Sequence, residues 1–183
     1  AAWPASADSA LRQIILAVAG TALLTLSAKI QVPFYPVPMT MQTFAVLVIG
    51  MAFGWKLGGL TVLAYLLEGA VGLPVFAGTP VKGIGLAYMA GPTGGYLVGF
   101  LVSALTVGYL AEKGFDRSVV TTLIAMVIGT ALIFLCGYVW LSGLIGLEKA
   151  FQFGVLPFVW GAVFKIALAA AILPLCWKLL KRS

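Results

Sequence analysis

Apolar residues run through this chain in long blocks separated by short clusters of charge, proline and glycine. A helix needs about 20 mostly apolar residues to cross the hydrocarbon core of a bilayer. Six runs are candidates, at residues 13–30, 40–54, 57–71, 95–111, 119–144 and 156–180. The second and third are short and are joined only by Gly54-Trp55-Lys56, which predicts a tight hairpin. The expected fold is an all-α integral membrane protein, with six transmembrane helices in one bundle. A single domain then covers residues 1–183, with 1–11 a small, polar, loosely ordered lead-in. That lead-in lacks the basic start and cleavage site of a signal peptide.

Composition narrows the class further. Of 183 residues, 62% are apolar and 9% charged, and the mean hydropathy is +1.13. Soluble proteins carry about 25% charged residues. So few polar side chains do not cover a soluble globule, and so much apolar surface excludes disorder. The chain has no histidine, the commonest general base and metal ligand. Its two cysteines, Cys136 and Cys176, lie inside apolar runs and read as small buried hydrophobes. The net charge of +6 is scattered between spans, so it reads as membrane topology rather than nucleic-acid binding. With six spans both termini share a side. That side carries Arg12, Lys56, Lys113, Arg117, Lys178, Lys181 and Arg182, the other Lys29, Lys82 and Lys149. Seven against three places the termini in the cytoplasm of a cell-membrane protein.

The two sides differ in their loops. The cytoplasmic ones are short and charged. The outer ones, at residues 31–40 and 72–95, are long and rich in Pro, Gly and aromatics. Long connections of this composition are functional more often than disordered, and they read as a cap over a ligand pocket.

A few polar residues stand where they need a reason. Lys165, in GAVFKIALA, lies deep in the sixth run. It either snorkels or faces a cavity. Glu68, near the outer end of the third run, either reaches interfacial water, faces the same cavity, or pairs with Lys165. Gln42, in MTMQT, bridges helices or contacts a ligand. Lys82 is a solvated loop charge or a ligand for an anion. In GPTGGYLVGF, Gly91, Gly94 and Gly95 permit close backbone approach, and Thr93 is placed to cap the following helix. The free N–H groups of its first turn suit an anion or polar ligand group. Gly95 and Gly99 form a small-xxx-small pair for helix packing. Tyr88 and Tyr96 flank this turn, each with an apolar ring and a hydroxyl to offer. On the first helix, Ala17, Thr21 and Thr25 make a smooth face, either for packing within the chain or for docking another membrane subunit.

Absences exclude several chemistries. There is no GxxxxGK[ST], so the chain is not itself a P-loop ATPase. There is no paired-carboxylate site, nucleophile–base pair or metal cluster, so neither catalytic residues nor a cofactor are expected.

Three segments, VPFYPVPMTMQTF (32–44), YLLEGAVGLPVFAG (65–78) and GPTGGYLVGF (91–100), together resemble the BioY family, and the resemblance covers nearly the whole chain. Members of that family are biotin-specific S components of energy-coupling-factor transporters. The resemblance implies a biotin pocket toward the outer face, docking to a transmembrane coupling subunit and two ATP-binding subunits, and no enzymatic activity. For such a ligand the residues singled out above, Gln42, Glu68, Lys82, Tyr88, Gly91, Thr93, Gly94, Tyr96 and Lys165, are the candidate contacts. The resemblance also implies docking through small residues of the first helix, here Ala17, Thr21 and Thr25, with Thr where the family usually has alanine. One departure stands out. Family members often carry Asp three residues before the lysine of the last helix, where this chain has Ala162. Glu68 then replaces that partner of the polar ureido ring, or affinity falls. An S component for another small vitamin is the alternative, and a membrane-embedded lipid enzyme is a more remote one.

Overall fold

The computed structural model describes the backbone of residues 10–180 and side chains through Leu173. Residues 1–9 of the lead-in, the side chains of Cys176 and Lys178, and Lys181 and Arg182 lie outside the described residues. The elements, in order, are α1 Ala10–Lys29, β1 Gln31–Val32, β2 Met39–Thr40, α2 Gln42–Ala70, α3 Gly85–Met89, α4 Gly94–Glu112, α5 Val119–Ile145, α6 Leu147–Gly154 and α7 Leu156–Leu180.

Among the described residues, five helices are long and apolar enough to cross a membrane: α1, α2, α4, α5 and α7. The second and third expected runs both fall in α2. This element is broken at Gly54, whose φ of 76° and ψ of 177° are non-helical. A side chain strongly disfavours that conformation, and glycine adopts it freely. The break reverses the chain: a Cβ added at Gly58 would lie 3.2 Å from the Cα of Gly50. In an unbroken helix those residues stand about 12 Å apart. The two arms of α2 therefore pack against each other, and each is shorter than a full span.

α4 sits between α2 and α5, and small residues set both contacts. Toward α5, a Cβ at Gly99 would come within 2.9 Å of the Ile133 Cα. Toward α2, one at Gly50 would come within 2.9 Å of the Ala104 carbonyl oxygen. In lipid no hydrophobic force drives helices together, so such close backbone approach supplies the packing. α2 and α4 are the most enclosed spans, and α1, α5 and α7 turn more of their surface outward. The outward residues include Ile14, Val18, Leu26, Val127, Leu135, Val163 and Phe164, which suits contact with lipid tails.

Two connections at one end were expected as loops and have structure of their own. Residues 31–40 form a small antiparallel hairpin, with Gln31 opposite Thr40 and Val32 opposite Met39. Residues 71–84 are pulled down onto the bundle. Val75, Phe76 and Ala77 are buried, and Phe76 stacks on Tyr88 at 5.0 Å and meets Tyr65 edge-on at 5.5 Å. Tyr65 donates its hydroxyl to the Val75 carbonyl, and Tyr88 to that of Ala77. Lys29, at the end of α1, ties the same segment: its Nζ donates to the carbonyls of Pro74, Phe76 and Thr79 and to the Thr79 hydroxyl. The segment's carbonyls thus gain partners that water would otherwise supply.

Candidate functional site

A narrow cavity of about 40 Å³ lies where the hairpin, the first arm of α2, α4, α5 and α7 converge. Its walls are mostly apolar: Val37, Leu47, Ala77, Phe100, Ile133, Phe134, Phe158 and Ala162 line it. The polar groups facing it are few: Thr40, Gln42, Thr43, Thr93, Thr130 and Lys165, with the Tyr96 ring beside them. Apolar walls with a small number of placed polar groups are the usual make-up of a small-molecule site.

Lys165 reaches the cavity because α7 is bare one turn earlier. Gly161 and Ala162 leave room for the hairpin, and a Cβ at Gly161 would come within 3.1 Å of the Met39 sulfur. The hairpin's Thr40 carbonyl then accepts a hydrogen bond from Lys165 Nζ, which also donates to Thr43 Oγ1 at 3.0 Å. Lys165 is 8% exposed. An ammonium has three donors, and two are occupied here, so one is left for the cavity. The snorkelling reading of Lys165 does not hold, and neither does a pair with Glu68: both hydrogen bonds of Nζ go to the hairpin and to α2. Physically, a lysine buried this deep keeps its charge only if nearby oxygens replace its lost water, and Thr40 and Thr43 do so.

Two further polar atoms in the cavity wall have no partner. Gln42, the first residue of α2, is buried beside the Tyr65 hydroxyl, and its Nε2 makes no hydrogen bond. Thr130 Oγ1 on α5 is likewise buried and unpaired. Threonine in a helix commonly bonds a carbonyl one turn back, as Thr25 and Thr106 do here. Thr130 does not. A buried polar atom without a partner costs about 1–3 kcal/mol, so native proteins rarely keep one without a use.

The other residues read from the sequence are distributed as follows. Thr93 lines the cavity, but its side chain does not cap α4. Thr93 is already in helical conformation, and the carbonyls of Gly91 and Thr93 take up the N–H groups of Gly94 and Tyr96. Those two N–H groups are not free for an anion. Tyr96 commits its hydroxyl to the Gly154 carbonyl at 2.7 Å. Tyr88 is buried behind the cavity wall, and burial pushes its hydroxyl above the usual phenol range, partly offset by Thr93 nearby. Gly91 accepts a hydrogen bond from the Trp140 indole, and Gly94 is packed against the Met89 carbonyl and Trp140. Glu68 and Lys82 do not line the cavity. Glu68 is half-buried at the end of α2, and Lys82 is exposed, its stem lying over Gly78. On α1, Thr21 is buried within the chain, while Ala17 and Thr25 are half-buried.

The sequence reading missed Thr130 as well as Phe134 and Phe158. A hydroxyl or a ring inside an apolar run carries no signal of its own, because back-bonding and core packing are the commoner uses of both.

Comparison with known proteins bears on what fills the cavity. The sequence profile of the BioY family matches residues 4–182. A protein of Thermotoga maritima named biotin transporter BioY is 42% identical over 163 residues, covering 88% of this chain and 94% of that one. A probable biotin transporter BioY of Pyrococcus horikoshii is 38% identical, covering 88% and 93%. A crystal structure of the S-component for biotin from an ECF-type ABC transporter superposes with a TM-score of 0.79, at 25% identity and 92% coverage of both chains.

Proposed function

The chain belongs to the BioY family, and on that premise we propose that its cavity is the site where a membrane-embedded subunit of a vitamin importer holds biotin. The protein is a multi-pass membrane transporter component, not an enzyme. It works with a transmembrane coupling subunit and ATP-binding subunits of an ECF-type transporter, and ATP is consumed by those partners.

The observation that carries the proposal is the mostly apolar cavity whose wall keeps Gln42 Nε2, Thr130 Oγ1 and one N–H of Lys165 without a protein partner. Biotin has a polar bicyclic head, an apolar chain and a carboxylate. The unpaired groups suit the head, which has both donors and acceptors to satisfy, and the apolar walls suit the chain. Binding then gives the buried protein groups partners and replaces the hydrogen bonds to water that the ligand head gives up. Chemical conversion plays no part. The task is to hold a polar molecule inside a membrane-spanning bundle until the partners release it inward.

The finer architecture belongs to the same reading. The two arms of α2 count as two crossings, giving six in all and both termini on one side. The lysines of the opposite side, Lys29, Lys82 and Lys149, lie toward the hairpin and the 71–84 segment. This supports an outward-facing cavity and cytoplasmic termini under the positive-inside rule. Those two segments serve as its cap. The outer face of α1, where Ala17 and Thr25 are only half-buried, is offered to the coupling subunit.

Equilibrium binding of biotin to the purified chain in detergent, with other vitamins as competitors, tests the assignment. Selective, stoichiometric binding is expected. A folded protein that prefers another vitamin would reassign the ligand, and one that binds none would sink the proposal.

A further inference from the structure

A second cavity, of about 550 Å³, lies outside the first and is lined by Tyr35, Pro36, Pro92, Lys149 and Phe153 among others. The inner cavity is lined by Val37, Pro38 and Thr93. These are the next residues along the same two segments. The two cavities therefore border on the same two segments, Tyr35–Pro38 of the hairpin and Pro92–Thr93 before α4. The outer cavity is open to solvent: Tyr35 is 89% exposed, and Lys149 is exposed on α6.

The two cavities differ in what they offer a charge. In the inner one, Lys165 is already engaged by Thr40 and Thr43. In the outer one, Lys149 stands in the lining with its ammonium uncommitted, together with two prolines, two aromatic rings, Leu144 and Ile145. Among the described residues no hydrogen bond or ion pair engages Lys149 Nζ. Glu148 precedes it, but successive residues on a helix point about 100° apart, and Glu148 is not part of the lining. An apolar and aromatic lining with one cation suits a small molecule that has an apolar body and a carboxylate.

We propose that this outer cavity is a capture station. Lys149 draws in the carboxylate of the approaching ligand and holds it against Tyr35 and Phe153, before the head passes between the two shared segments into the inner cavity. The inference rests on the biotin reading, in which the inner cavity satisfies the head, and it adds that the carboxylate at the far end of the chain trails. A charge at the rim of a site acts mainly on the association rate and on its salt dependence.

The test is stopped-flow association of biotin and of its neutral amide with the purified chain in uncharged detergent, at low and high salt. Wild type is compared with Lys149→Gln and Lys149→Arg. A whole cleft of one sign raises association by 10-fold or more, so one charge is expected to contribute roughly 3- to 10-fold. Lys149→Gln should slow biotin by that factor and flatten its salt dependence. It should leave the amide unchanged, and Lys149→Arg should restore the rate. Equal association of biotin with wild type and Lys149→Gln would overturn the inference, even if dissociation quickened, because Lys149 would then hold bound ligand rather than capture it. Wild type that binds no biotin would sink the parent reading and this inference together. Normal binding with unaltered association would sink this inference alone.

Discussion

Lys165 Nζ on α7 donates a hydrogen bond to Thr43 Oγ1 on α2 at 3.0 Å, across 122 positions of sequence. Together with the Thr40 carbonyl, this contact fixes the ammonium in the cavity wall and binds the last helix to the hairpin. Lys165→Ala removes that charged donor and is expected to weaken biotin binding about 10- to 100-fold, the range for a hydrogen bond to a charged group. Titration calorimetry in detergent reads this directly. Thr43→Val should act more mildly and in the same direction, because Thr43 positions the lysine. Unchanged affinity in Lys165→Ala would move the polar end of the ligand elsewhere.

Thr130 offers a test in which affinity and stability move apart. Its hydroxyl is buried and unpaired in the free protein, so Thr130→Val removes nothing that supports the fold. Thermal stability without ligand should stay level or rise. Biotin affinity should fall roughly 3- to 10-fold, the worth of one neutral hydrogen bond. A parallel loss of stability would show instead that the hydroxyl serves the fold.

The close approach of α4 to the break in α2 predicts a contrast between two glycines. A Cβ at Gly108 would meet backbone atoms, the Gly54 carbonyl carbon and the Trp55 Cα, both at 2.6 Å. Backbone does not yield as a side-chain tip does, so Gly108→Ala should destabilise by about 1–3 kcal/mol. At Gly143 on α5 nothing lies within 4 Å. Gly143→Ala should be neutral or stabilise by up to about 1 kcal/mol through helix propensity. Thermal unfolding of both variants in the same detergent checks the contrast.

Lys29 holds four oxygens of the 71–84 segment. Lys29→Met should leave α1 intact and loosen that segment, read as faster hydrogen exchange across residues 72–84. Biotin dissociation should quicken as well, because Ala77 of this segment lines the cavity. Unchanged exchange would show that the Phe76–Tyr88 stack and the two tyrosine hydroxyls suffice to hold it.

Much of the architecture was legible because hydropathy is local. The boundaries of α1, α4, α5 and α7 fall within a few residues of the apolar runs at 13–30, 95–111, 119–144 and 156–180. The glycine at the predicted hairpin is the residue where α2 breaks. The structure added what hydropathy does not encode: the β1–β2 hairpin, the short helices α3 and α6, and the descent of Phe76 onto Tyr88.

The cavity was legible only in part. Gln42, Thr93, Tyr96 and Lys165 meet there, whereas Glu68, Lys82, Tyr88, Gly91 and Gly94 do not line it. Lys165 stood out because a charge in an apolar run always needs a reason. Glu68 stood out for the same reason, yet it lies at a helix end. Thr130 did not stand out at all, although it is one of the polar atoms left free.

The sequence by itself determined membrane residence, the positions of four of the spans and the glycine at which α2 breaks, and its motifs carried the resemblance to the family. Hydropathy belongs to contiguous stretches, and in a bilayer those stretches must satisfy their own backbone hydrogen bonds. Only the tertiary structure decided which polar atoms are paired and which are left for a ligand. Lys165 is engaged by carbonyl and hydroxyl oxygens from a hairpin and a helix far away in the chain, and Thr130 faces a space that no other segment fills. Hydrogen-bond satisfaction depends on where remote segments bring their donors and acceptors, and short-range patterns carry no record of that.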